Sequence, residues 1–105
     1  MRKITQQTVN AFFSGNNISL SNTIVNDGAV FLHGNKIINT LENGNIEISF
    51  CGWATPTTAD RINAIVSAYT GGKIRVGIKQ GEPELRHDNG LTQAFDSHEK
   101  LVISR

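Results

Sequence analysis

The chain has 105 residues, 38% of them hydrophobic and 18% charged, with a formal net charge of +1. That length suits one domain burying roughly two thirds of the surface its unfolded form exposes, and the small net charge excludes a whole-molecule pull toward nucleic acid or anionic membrane. A single cysteine, Cys51, excludes an internal disulfide and a thiolate zinc cluster.

The start, MRKITQQTVNAFF, has no uninterrupted apolar stretch of signal-peptide length, and no run is long enough to span a bilayer. A soluble, intracellular protein is therefore expected. Residues 5–13 predict a short helix capped by Thr5, with Ile4 and Val9 as a hydrophobic staple and Val9, Phe12 and Phe13 on one face. Gly15 supplies its left-handed stop. Ile18, Leu20 and Ile24 fall on alternate positions and predict a strand ending at the turn Asn26-Asp27-Gly28.

From 29 to 51 the segments AVFLH, KIINT and NIEISFC read as a meander of short strands, broken at Gly34-Asn35 and at Asn43-Gly44. In the last strand Ile46, Ile48 and Phe50 share one face and Glu47, Ser49, Cys51 and Trp53 the other. The residue before Pro56 should be extended. Thr57 and Asp60 then form a capping-box pattern, opening a helix with Ile62, Ile65, Val66 and Tyr69 at i, i+3, i+4 and i+7. Gly71-Gly72 ends it.

KIRVGIK alternates again, with Ile74, Val76 and Ile78 inward and Lys73, Arg75 and Lys79 outward, and predicts a strand beside the meander. The remainder reads as a polar loop with turns at Glu82-Pro83 and Asn89-Gly90, closed by a final short strand at LVIS. Residues 1–81 hold seven Lys and Arg against four Asp and Glu, and residues 82–105 three against five, so the tail is the acidic part. The expected fold is a single two-layer α+β domain: a short N-terminal helix, an antiparallel meander, a second amphipathic helix and one or two C-terminal strands, with a core over about 2–80.

Candidate chemistry is sparse. His33, His87 and His98 lack any zinc spacing to one another, so no metal or cofactor is expected. Cys51 with His33 makes a weak nucleophilic pair, and an inert structural thiol is the better reading. Trp53 is expected to pack beneath the following helix; exposed, it would be an interface anchor. Lys73, Arg75 and Lys79, joined by Arg61 and Lys36, form the one local basic stripe. The element order matches that of double-stranded RNA-binding domains, but Ala59 and Asp60 stand where those domains start their second helix with lysines.

Two segments, FLHGNKI (31–37) and GWATPTTADRIN (52–63), behind a helix beginning RKIT, resemble a group of small bacteriophage-encoded proteins. The group carries an LHGN turn, then Gly-Trp, Thr-rich residues and an Arg-Ile-Asn or Arg-Leu-Asn helix start. Here these are Leu32, His33, Gly34 and Asn35, then Gly52, Trp53, Thr55, Thr57, Thr58, Arg61, Ile62 and Asn63. The likeness spans roughly residues 2 to 80, and the acidic tail departs from it. It implies a phage accessory protein acting in the host bacterial cytoplasm: a non-enzymatic module that binds and modulates a host or defence macromolecule, as anti-CRISPR proteins do. The alternative is a small nucleic-acid-binding accessory protein using the basic sheet face. The expected contact surface comprises Trp53, Arg61, Asn63, Lys73, Arg75 and Lys79, with homodimerisation left open.

Overall fold

A computed structural model of the protein describes residues 2–104. Helix α1 (Lys3–Ser14) precedes five short strands, β1 (Ile18–Ser19), β2 (Thr23–Asn26), β3 (Ala29–Leu32), β4 (Asn35–Thr40) and β5 (Ile46–Ile48). Helix α2 (Pro56–Tyr69) follows, then β6 (Ile74–Lys79), β7 (Glu82–His87), β8 (Thr92–Ala94) and β9 (Leu101–Ile103). The α+β class is as predicted, with two more strands in the tail than its polar composition suggests.

The strands form two antiparallel sheets, one of six in the order β1-β2-β3-β4-β5-β9 and one of three in the order β6-β7-β8. The α helices pack on the inner face of the larger sheet, α1 against β2 and β3 and α2 against β4, while β6 lies along α2. One continuous core runs through both layers, from Ala11 to Ile103. The predicted α2 stripe of Ile62, Ile65, Val66 and Tyr69 is buried throughout.

Tight turns set the registers. Asp27-Gly28, His33-Gly34 and Gln80-Gly81 each place two residues at positive φ, the type I′ geometry whose twist suits a two-residue hairpin. The third of these corrects two expectations. It pairs β6 with β7, so KIRVGIK does not join the meander, and β9 takes the place beside β5. Pro83 sits within β7, opposite Ile78, and not in a turn. Ladder bonds alternate from side to side along an antiparallel strand, and the hairpin turn puts the Pro83 nitrogen on the side away from β6. On that side only its carbonyl bonds, accepting from the Phe95 N–H at 3.0 Å, and β8 pairing stops at Ala94.

Other local expectations also shift. The reading of 18–24 as one strand fails: Thr23 and Val25 point inward on β2 and Ile24 outward. Helix α1 begins two residues before Thr5 with no side-chain cap, and its buried residues are Thr5, Thr8 and Ala11, whereas Phe13 is exposed. A bulge after Val30 opposes Phe31 to Lys36 and Val30 to Ile38, leaving Ile37 extra, so Ile37 and Ile38 are both buried.

Candidate functional site

The chain leaves β5 through Phe50, which is fully buried, and reverses at Cys51-Gly52, with φ of 54° and 84° and the Trp53 N–H donating to the Phe50 carbonyl at 2.8 Å. The tail backs this turn. The Gly52 N–H donates to the Ser97 carbonyl at 2.9 Å, and the His98 ring lies so close that a Cβ on Gly52 would stand 2.5 Å from it. Phe95 meets Phe50 edge-on, with ring centroids 5.8 Å apart. The turn thus throws Trp53 outward, where it is 60% exposed; its expected packing beneath α2 is corrected.

Two residues on, extended Thr55 caps α2. Its hydroxyl accepts from the Thr58 N–H at 3.3 Å, and Pro56 takes the first helical position, where a missing N–H costs nothing. The cap is therefore Thr55, and the predicted Thr57–Asp60 box is absent because Asp60 is engaged elsewhere. Its carboxylate accepts from the Thr5 hydroxyl and pairs with Arg61 Nη1 at 2.8 Å. Arg61, only 2% exposed, also donates to Thr5 Oγ1 at 2.6 Å and from Nε to Thr23 Oγ1 at 3.4 Å, tying α2 to α1 and β2.

A pocket of about 420 Å³ opens between the 33–34 hairpin and the start of α2. Its floor is Leu32, Ile37 and Phe50, all buried. His33, Asn35 and Trp53 stand around it, and Thr55, Thr57 and Thr58 form the helix side. The LHGN and Gly-Trp/Thr motifs, some twenty residues apart in the chain, therefore line one cavity. Phe50 is the lining residue outside both motifs, expected only as core; Ile37, at the end of FLHGNKI, reaches the pocket at the bulge, for which the alternation of KIINT carries no signal.

Of the six expected contact residues, only Trp53 lines this pocket. Arg61 lies within the core. Asn63 is half-buried, and its side-chain oxygen accepts the Val76 N–H at 2.9 Å, covering the free edge of β6. Both residues thus acquire structural roles. Lys73, Arg75 and Lys79 are exposed on and beside β6, joined by Arg86, which pairs across from Arg75. Glu82 and Glu84 share that face, and Arg86 Nε bonds Glu84 at 2.8 Å, so the stripe is a mixed field of both signs. Gly77 permits this: a Cβ there would stand 2.5 Å from the Arg86 guanidinium carbon.

Cys51 is half-buried, its thiol directed at the Lys36 carbonyl at 3.1 Å in a separate depression, while His33 lines the pocket beside Trp53. Among the described residues no group of three His, Cys, Asp or Glu is placed to hold a metal ion, and no helix is long and apolar enough to cross a membrane.

The family model of the Kyanoviridae Gp96 protein, a phage protein family, matches residues 1–102. The chain belongs to this family. The match runs through the acidic tail, well past residue 80 where the motif likeness ends, and so takes in Phe95, Ser97 and His98 behind the Trp53 turn. Comparison of this Gp96-family chain with curated proteins and with solved structures returned no match.

Proposed function

We propose that this phage protein is a non-enzymatic accessory module that binds and modulates a host or defence macromolecule, in the manner of an anti-CRISPR protein, with the pocket beside Trp53 as its contact site. The observation that carries the reading is the convergence of the two motifs on one cavity with an exposed tryptophan at its lip. Large exposed aromatics beside a formed pocket are the residues that most often dominate binding energy at protein interfaces. The pocket's composition favours binding over catalysis: its floor is apolar, and the Thr55 and Thr58 hydroxyls, 3.0 Å apart, are committed to the helix cap.

The test is affinity capture from host lysate with the wild-type chain and with Trp53→Ala. A specific host protein retained by the wild type and lost by the variant is the expected result. Equal retention by both would remove the pocket from the proposal, and salt-sensitive recovery of nucleic acid alone would favour the β6 face instead.

A further inference from the structure

We propose that the pocket accepts an aromatic or aliphatic side chain presented on an acidic peptide segment of the partner protein, an inference that rests on the interaction-module reading above. The apolar half of this recognition comes from the floor. Leu32, Ile37 and Phe50 offer no hydrogen-bond partner, so a polar group driven against them would lose its hydration without compensation. A volume of about 420 Å³ falls within the range of clefts that enclose small ligands. Trp53 supplies one wall, and its backbone is fixed on both sides, by the N–H bond to Phe50 and by a carbonyl that accepts from Thr55 N–H at 2.8 Å. Little backbone freedom is lost when such a wall is covered.

Charge supplies the acidic half. None of the residues lining the pocket is Asp or Glu, and Asp60 in the first turns of α2 is held by Arg61 and Thr5. Arg2 Nη1 reaches to 3.5 Å from the Thr57 hydroxyl at the rim. Arg2 and its neighbour Lys3 are exposed, and among the described residues neither is in an ion pair. This contrasts with β6, where carboxylates already interleave the cations. Flanking acidic residues would therefore meet unpaired positive charge, the complementarity that sets orientation and encounter rate at interfaces. A nucleobase could also stack on Trp53, but single-strand binders use successive aromatics along an open groove. Here one tryptophan stands over a closed apolar floor.

Trp53 is the chain's one tryptophan, so its emission reports occupancy of the pocket directly. The 105-residue chain would be titrated with a capped pentapeptide holding a central phenylalanine between pairs of aspartates. The controls are its lysine-flanked and alanine-centred analogues and oligothymidylate. Saturable change with the first peptide, at least about tenfold tighter than with either analogue, is expected. Arg2→Glu, a surface change checked for retained fold by circular dichroism, should erase the preference for aspartate flanks and keep that for phenylalanine over alanine.

Equal response to all three peptides, no saturation by any at millimolar concentration, or preference for oligothymidylate would overturn the inference. The pocket would keep its place in the interaction-module reading after the first two outcomes if Trp53→Ala still abolished capture of a host protein, and that reading would fall only if the wild-type chain captured none.

Discussion

Within the twelve residues from Gly52 to Asn63, the tryptophan lies outside and the arginine inside. Trp53 is 60% exposed and Arg61 2% exposed, the reverse of what their hydropathies suggest. The difference lies in what each residue finds far away in sequence. Arg61 meets Thr5, Thr23 and the neighbouring Asp60, enough acceptors to satisfy a buried guanidinium. Trp53 follows a turn whose inner side is already filled by Phe95, Ser97 and His98, so its ring has only the outer side to occupy. The first half of the segment builds a surface, and the second fastens α2 to α1, β2 and β6.

The sharpest way to break this contrast is Arg61→Met. It removes the bonds to Thr5 and Thr23 and the pair with Asp60, whose carboxylate is one-third exposed and keeps the Thr5 hydroxyl, so unfolding free energy should fall by about 2–3 kcal/mol in urea denaturation. A loss below about 1 kcal/mol would show that the network adds little stability. Asn63→Ala is the intermediate case. Losing the bond to the Val76 N–H should cost about 1–2 kcal/mol, and faster amide exchange at Val76 would locate the effect. Trp53→Ala is the smallest, with stability expected to stay within about 0.5 kcal/mol of wild type. A larger drop would mean that the ring packs more than its exposure implies.

Much of the fold was legible because its signals are local. The α2 stripe, the left-handed stop at Gly15 and the inward Ile46, Ile48 and Phe50 depend only on period and on glycine. What escaped is whatever depends on distant partners. Alternation in KIRVGIK marks a strand but cannot name its neighbour; the Gln80-Gly81 turn names it, and Pro83 looked like a turn residue because a proline's ladder side is invisible before the register is known. Around the pocket, LHGN and Gly-Trp/Thr supply most of the lining, whereas Arg61 and Asn63 are bonded within the scaffold. A buried arginine cannot be told from an exposed one until its acceptors are placed.

The supports behind Trp53 also govern when the site can exist during synthesis. Domains generally fold as units as the chain emerges, yet here the Cys51-Gly52 turn is backed by residues 95–98 and β5 is flanked by β9 at 101–103. Both pocket motifs leave the ribosome long before those supports do. A nascent chain released as far as α2 thus carries both pocket motifs without the assembled pocket, and the outer edge of β5 must wait for some thirty further residues.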